Sequence, residues 1–121
     1  RRVPCEYKIF VLHSTIPMDE QEQAFHQPAD NVCHVFLAST IAESSVTLPK
    51  VRVVIDFCLR RQLAHDRNRH GLNCLLTQWV SHASAAQRSG RAGRVFPGVS
   101  IRMVPRNFYT GIMPQYDPPE I

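Results

Sequence analysis

Short apolar runs separated by polar loops dominate the first half of the chain. Residues 8–12 (KIFVL) and 32–38 (VCHVFLA) are rich in β-forming side chains, and residues 51–57 (VRVVIDF) form a third run of this kind. Between the first two runs, residues 18–25 carry early carboxylates and no helix breaker, so we expect a short helix there. Residues 41–49 leave room for a helical turn and a loop.

This alternation of strand and helix is a βαβ rhythm, which implies parallel strands covered by helices. The sequence therefore predicts an α/β fold, in three layers, with a mostly parallel sheet flanked by helices. Ligands of such sheets collect at the carboxyl ends of the strands. Hydroxyl-bearing residues follow the first two strands at those ends, namely Ser14, Thr15, Ser39 and Thr40.

The second half of the chain opens with a hairpin pattern. Residues 62–66 and 72–79 flank a polar stretch that ends in Gly71, which suits a hairpin turn. We expect this hairpin to carry four arginines outward, namely Arg60, Arg61, Arg67 and Arg69.

The remaining elements follow from periodicity and from glycine and proline. Residues 84–94 predict a helix whose far end loosens at two glycines, and residues 99–104 predict a last strand. The proline-rich tail from Pro105 onward predicts a loop or linker.

The composition fits one intracellular domain. The chain has 121 residues, of which 44% are hydrophobic, so a packed core is expected. There is no apolar run near the roughly 20 residues that span a bilayer and no signal-peptide pattern, so we expect no membrane association. The four cysteines have no close pair, which argues against a disulfide frame or a metal site.

Positive charge is concentrated in the middle of the chain. Residues 51–106 hold ten arginines and no lysine, against Asp56 and Asp66 alone. Because a guanidinium can grip phosphate oxygens through two parallel bonds, this bias favours a phosphate-bearing partner. A solvated basic face is the alternative.

The densest chemical signal is the octet QRSGRAGR at residues 87–94. Arg91 and Arg94 are three residues apart, so on a helix they share one face, and Gln87 lies on that face too. Two fixed cations and an amide suit the transfer of a γ-phosphoryl group, which depends on positioning and charge neutralisation.

This octet resembles motif VI of superfamily 2 helicases, in the QRxGRxGR form of the DEAH/DExH RNA helicases. Residues 38–48 (ASTIAESSVTL) resemble motif V of the same family. The resemblance covers about residues 8–116 and implies a RecA-like domain, the second of a helicase, with an inserted β-hairpin. It implies a helicase C-terminal domain over residues 1–116, incomplete at its N-terminus, and a linker at 117–121.

The resemblance also implies roles for individual residues. Gln87, Arg91 and Arg94 would be catalytic, and Phe25, Ser45 and Thr47 would bind the nucleotide, with Phe25 stacking on adenine. The RNA-binding set comprises His13, Ser14, Ser39, Thr40, Arg67 and Arg69. Without the family, Phe25 would be assigned to the core, and the hydroxyls of residues 39–40 to a capping loop.

Three positions depart from the family pattern. Pro49 replaces a carboxylate that contacts the ribose, Cys58 replaces the glycine of a D-x-G motif, and Thr40 replaces asparagine. The segments 44–49 and 54–59 resemble the tudor-domain-containing DExH helicases, the spindle-E group, which acts with Piwi-interacting RNAs in germ cells.

The family implies a two-domain motor that uses ATP with Mg²⁺. The phosphate loop and the Mg²⁺ ligands would lie on a first RecA-like domain, so this chain alone should not hydrolyse ATP. The expected partners are RNA, that first domain and Piwi-pathway proteins, and the expected location is the cytoplasm or germ granules.

Two other functions are compatible with the residues. One is a non-catalytic RNA-binding or scaffold module derived from a helicase, which Pro49 and Cys58 favour. The other is a domain that binds acidic proteins through its arginines. Asp56 could be catalytic in isolation, but at a strand end we expect it to pair with a nearby arginine.

Overall fold

The computed structural model describes residues 6–13, 26, 28–40, 48, 50–66, 71–93 and 97–116. Clustering of contacts divides the chain into two compact units, Arg1–Pro49 and Lys50–Ile121. The elements in chain order are β1 (Glu6–Leu12), β2 (Val32–Ala38), β3 (Val53–Asp56), β4 (Leu59–Asp66), β5 (Leu72–Trp79), α1 (His82–Ser89), β6 (Val99–Arg102) and α2 (Arg106–Gly111).

The first unit contains a parallel pair of strands, as predicted. β1 pairs with β2 from Glu6 opposite Val32 to Leu12 opposite Ala38. One face of the pair carries an aromatic cluster, in which the His34 ring lies 4.8 Å from the Phe10 ring and 6.1 Å from the Phe36 ring, between centroids. Cross-strand aromatic packing of this kind stabilises the register.

The second unit contains a second parallel pair and the hairpin. β3 pairs with β6 in parallel, with Val53 opposite Val99. β4 pairs with β5 in antiparallel register, with Leu59 opposite Trp79, so the hairpin is confirmed and begins three residues earlier than predicted. Gly71 has a φ of 75°, the left-handed conformation that glycine adopts without steric cost.

The expectation that the hairpin arginines point outward is wrong for Arg60. Its side chain is half-buried, and its guanidinium donates to Ser84 Oγ on α1 over 3.5 Å. Arg61, the next residue along β4, is exposed as expected. Since successive strand residues face opposite sides, Arg60 and Arg61 cannot share a face, and Arg60 is the one that faces α1.

α1 begins two residues earlier than predicted. Ser81 caps it in an extended conformation, and its hydroxyl accepts from the amide of Ser84 over 3.1 Å. The amides of His82 and Ala83 donate to the carbonyls of Pro114 and Gln115. The tail of the second unit therefore satisfies the first-turn donors of α1.

The tail is not simply a loop or linker, as the prolines suggested. α2 follows Pro105 directly, and Met113 beyond it is buried. Phe108 packs edge-on against Trp79, with ring centroids 4.8 Å apart. Tyr109 stacks on His82 at 4.2 Å.

The core of the second unit is small. Cys58, Val80, Ala85 and Met113 form a buried cluster, against which Val104, Phe108 and Tyr109 pack. The helix predicted at 18–25, the helical turn at 41–49, the turn at 67–70 and the linker at 117–121 lie wholly or mainly outside the described residues. Within the part of the chain that the structure describes, no helix has the length and apolar character needed to cross a bilayer.

Candidate functional site

Arg88 anchors the last turn of α1 to the strands beneath it. Its Nη1 lies 2.7 Å from Asp56 Oδ1 at the end of β3, and its Nη2 donates to the carbonyl of Leu59 over 3.1 Å. Asp56 is only 4% exposed. The predicted pairing of Asp56 with a nearby arginine is therefore confirmed.

Gln87 and Arg91 lie on either side of this anchored residue. Gln87 is exposed in the last turn of α1, and Arg91 is half-buried beyond the helix end. The amide of Arg91 donates to the carbonyl of Arg88 over 3.2 Å. The backbone of Arg91 is thus tied directly to the residue that anchors the helix.

The expectation that Arg91 and Arg94 share one face of a helix is wrong, because α1 ends at Ser89, before either residue. The amides of Arg91 and Ala92 bond three residues back instead of four, and Gly93 then turns the chain with a φ of 78°. Arg94 itself lies outside the described residues. The three-residue spacing of Arg91 and Arg94 therefore does not by itself bring the two guanidiniums together.

Residues 91–93 are held against the stretch that precedes β3. Ala92 forms a parallel bridge with Val51, and the amide of Gly93 donates to the carbonyl of Val51 over 3.3 Å. Gly98 closes the other side, because a Cβ built there would lie 2.6 Å from the Gly93 nitrogen and 2.9 Å from the Ala92 Cβ. The end of the arginine segment, residues 88–93, is thus packed between two backbone stretches.

Of the two glycines of the octet, Gly93 has a backbone conformation that favours glycine over other residues. Its positive φ favours glycine, whereas Gly90 has an ordinary helical φ of −66° as the C-cap. Gly98 does not belong to the octet and was not singled out from the sequence, yet it has no room for a Cβ. The sequence signal for it was the Pro97-Gly98 dipeptide just before the last strand.

Cys58 occupies an unusual position beside Asp56. Its φ is 62°, a left-handed conformation that favours glycine, and its side chain is completely buried. Burial and the Asp56 carboxylate raise the pKa of the Cys58 thiol, while the nearby Arg102 and Arg88 act in the opposite direction. The thiol therefore stays protonated at neutral pH as a core group.

The first unit brings three predicted residues to one strand edge. The amide of Ser39 donates to the carbonyl of Leu12 over 3.2 Å, so Ser39 follows β2 where His13 follows β1. His13, Ser39 and Thr40 are all exposed. The predicted placement at the carboxyl ends of parallel strands is confirmed for Ser39 and Thr40, and His13 lies at the same edge.

Seven other candidate residues lie outside the described residues. They are Ser14, Phe25, Ser45, Thr47, Arg67, Arg69 and Arg94. Pro49, one of the departures from the family pattern, lies outside them as well.

The side-chain chemistry of the described candidates suits an anion. Guanidinium and amide N–H groups donate to phosphate oxygens, whereas a divalent cation needs oxygen, nitrogen or sulfur donors. Among the described residues, no group of three or more His, Cys, Asp or Glu could hold a metal ion. Arg91 and Gln87 can therefore contribute positive charge and hydrogen bonds to a phosphate group.

Comparison with solved structures gives the class of the fold. The crystal structure of the E. coli DExH-box NTPase HrpB matches with a TM-score of 0.84 and 33% identity, over 94% of this chain and 14% of that chain. A second structure, described as the E. coli DEAH/RHA helicase HrpB, matches with a TM-score of 0.83 and 33% identity, over 96% of this chain and 15% of that one. The predicted RecA-like α/β fold class is confirmed.

Sequence comparison gives the family. The helicase conserved C-terminal domain matches residues 1–96. The chain belongs to this family, and the resemblance to DExH-box RNA helicases is confirmed.

Two relatives match almost the whole chain. The ATP-dependent RNA helicase TDRD9 of Danio rerio is 44% identical over 114 residues, which are 94% of this chain. The probable ATP-dependent RNA helicase spindle-E of Aedes aegypti is 46% identical over 110 residues, or 91% of this chain. The chain spans about 8% of the length of each of these relatives.

Proposed function

We propose that this chain is part of an ATP-dependent RNA helicase and that it supplies Gln87, Arg91 and Arg94 to ATP bound on a first RecA-like domain of the same protein. The observation that carries this proposal is the anchored end of α1. Arg88 is held on Asp56, Gln87 is the exposed residue directly before it, and the amide of Arg91 is bonded to its carbonyl. The names of the relatives, which describe ATP-dependent RNA helicases, support the same conclusion.

In this proposal the chain provides charge and position and does not hold the metal. ATP would arrive with Mg²⁺ held by carboxylates of the first domain, in keeping with the donor chemistry of Gln87 and Arg91. Two arginines beside the γ-phosphate neutralise charge that develops during transfer, and arginines in this role contribute about 10³- to 10⁵-fold to turnover.

RNA would be held by its backbone at the strand edge of the first unit. His13, Ser39 and Thr40 are exposed at neighbouring strand ends and can donate to phosphate oxygens. Such contacts do not read bases, so we expect low sequence specificity and strong dependence on salt. By the family resemblance, Ser14, Arg67 and Arg69 would also contact RNA, and Phe25, Ser45 and Thr47 would contact the nucleotide.

We also propose a role in germline silencing through Piwi-interacting RNAs, in the cytoplasm or in germ granules. The likeness to relatives named spindle-E and TDRD9 supports it. Immunoprecipitation from germ cells should recover Piwi-class proteins and their small RNAs. Recovery of neither, from cells that express the protein, would contradict this assignment.

The test of the catalytic proposal is ATP turnover by the full-length protein. Arg91→Ala and Arg94→Ala should each reduce RNA-stimulated turnover by about 10³-fold or more, while RNA binding persists. Arg106→Ala is the matched control, because Arg106 is exposed at the start of α2 and its loss removes the same charge. If Arg91→Ala and Arg94→Ala both retained wild-type ATP turnover, the proposal would be overturned.

The test of the RNA proposal separates binding from hydrolysis. Ser39→Ala combined with Thr40→Ala should weaken RNA binding or uncouple it from ATP turnover. Ser100→Ala, which removes an exposed hydroxyl from β6, should leave both unchanged. Normal RNA-stimulated turnover in the double variant would contradict the assignment.

A non-catalytic RNA-binding module is the second candidate, and it is favoured by Pro49 and Cys58 at positions where the family has other residues. It predicts that the full-length protein binds RNA but not ATP. A nucleotide titration of that protein separates the two functions.

A further inference from the structure

The side chain of Arg88 holds two elements at once. One nitrogen lies on Asp56 Oδ1 at the end of β3, and another donates to Leu59 at the start of β4. The guanidinium plane fixes the direction of both bonds, which a lysine ammonium would not do. Arg88 therefore sets the orientation of the last turn of α1 as well as its distance from the sheet.

The ion pair between Asp56 and Arg88 contributes little to stability for a buried interaction. Asp56 Oδ2 is buried and accepts no hydrogen bond from the described residues. A buried ion pair often contributes no more to stability than well-packed apolar residues of similar volume. What the pair provides beyond apolar packing is a fixed direction for Arg88.

The direction of Arg88 determines where its neighbour points. Consecutive residues of an α-helix are about 100° apart around the axis. With Arg88 turned inward onto Asp56, Gln87 is placed on the exposed side of α1, as observed. The position of the Arg91 backbone also depends on Arg88, because the amide of Arg91 donates to the Arg88 carbonyl.

The stretch from Val51 to Asp56 holds the arginine segment at two points. Asp56 fixes Arg88 at one end, and Val51 accepts from Gly93 at the other. Five residues of extended chain span about 16 Å. Residues 88–93 are therefore held at both ends on the same stretch of chain, with Arg91 between the two points.

We propose that Asp56 and Arg88 are positioning residues for ATP hydrolysis, and that they act by holding Gln87 and Arg91 in place. This inference rests on the proposed function of Gln87 and Arg91 and assigns no contact between the pair and ATP. A misplacement of about 1 Å can reduce a rate by about 10²-fold. Loss of the pair should thus lower turnover without removing either catalytic group.

The test uses RNA-stimulated ATP turnover by the full-length protein. Asp56→Asn and Arg88→Gln should each lower kcat by about 10- to 100-fold, with KM for ATP changed by less than about 3-fold, because a transition-state contact is misplaced. Arg88→Lys should fall between Arg88→Gln and the wild type. The double variant should be no worse than the poorer single variant, because both changes break one interaction.

A matched control separates positioning from a general loss of stability. Phe108→Leu weakens the same unit by removing the ring contact with Trp79, away from the end of α1. At a temperature where all variants are folded, Phe108→Leu should keep the wild-type kcat. If Asp56→Asn and Arg88→Lys also keep it, the positioning role is wrong, and these two conservative variants decide the matter even if Arg88→Gln does not fold.

The result for Arg91→Ala distinguishes the two proposals. If Arg91→Ala loses turnover and Asp56→Asn does not, the positioning inference fails and the proposed function stands. If Arg91→Ala keeps wild-type turnover, the proposed function fails and the positioning inference fails with it.

Discussion

The amide of Cys58 donates to the carboxylate of Asp56 over 2.8 Å, and it does so from a left-handed backbone with a φ of 62°. A residue with a Cβ pays about 1–2 kcal/mol to adopt this conformation. The thiol is completely buried beside Val80 and Ala85. At position 58, backbone strain therefore destabilises the fold, whereas burial of the side chain stabilises it.

Substitution of Cys58 should separate the effect of backbone strain from the effect of side-chain burial. Cys58→Gly relieves the strain and loses the buried side chain, so the free energy of local opening should change by less than about 1 kcal/mol. Cys58→Val should be destabilised by about 2 kcal/mol or more, because a β-branched residue is a poor fit to a positive φ. Hydrogen exchange of residues 53–60 in the full-length protein measures both, and wild-type protection in Cys58→Val would contradict the account.

Gly98 should tolerate no side chain. A Cβ there would lie 2.6 Å from the Gly93 nitrogen and 3.0 Å from the Arg52 carbonyl oxygen, so backbone would have to move. Gly98→Ala should cost about 1–3 kcal/mol or more and displace the arginine segment. Hydrogen exchange at residues 90–93 and ATP turnover should both change.

Gly111→Ala is the control for this substitution. Position 111 ends α2, and a Cβ there meets no atom within 4 Å. We expect exchange and turnover like those of the wild type. Equal effects of the two alanines would show that Gly98 is not specially constrained.

His34 should make the stability of the first unit depend on pH. Burial and the ammonium of Lys8 lower the pKa of His34. Because the folded chain then binds this proton less readily than the unfolded chain, the contribution is complete above the ordinary pKa of about 6.5 and is lost as pH falls towards the lower folded value. Protection of the β1 and β2 amides, corrected for intrinsic exchange rates, should therefore decrease below about pH 6.5.

His34→Phe tests the origin of this dependence. Phenylalanine keeps an aromatic ring beside Phe10 and Phe36 but has no proton to gain. The decrease between about pH 6.5 and 5 should become shallower in this variant. An unchanged slope would assign the dependence to other groups.

Much of the fold could be predicted because it is encoded locally. The apolar runs before Ser39 and at Asp56 mark their strands, and Gly71 marks the hairpin turn. The direction of Arg60 could not be predicted, because alternation along a strand does not tell which face packs on a helix. The short helix α2 was missed because its sequence has little helical propensity, and Phe108 and Tyr109 hold it through tertiary contacts.

The candidate site, like the fold, could be predicted from the sequence only in part. The residue types of the octet indicated a phosphate partner, and the strand-end position of Asp56 indicated its pairing with an arginine. The end of α1 could not be placed from the spacing, because the bridge between Ala92 and Val51 joins residues about 40 apart in sequence. Long-range contacts of this kind overrode the helical periodicity that the octet suggested.

The action of Arg91 on ATP at the transition state is tested most directly with a transition-state mimic. In the full-length protein with RNA, the affinity for ADP with aluminium fluoride should fall by at least about 10²-fold in Arg91→Ala, while the affinity for ADP alone changes by less than about 3-fold. Arg106→Ala should leave both affinities unchanged. Equal affinity of the wild type and Arg91→Ala for the mimic would contradict the claim.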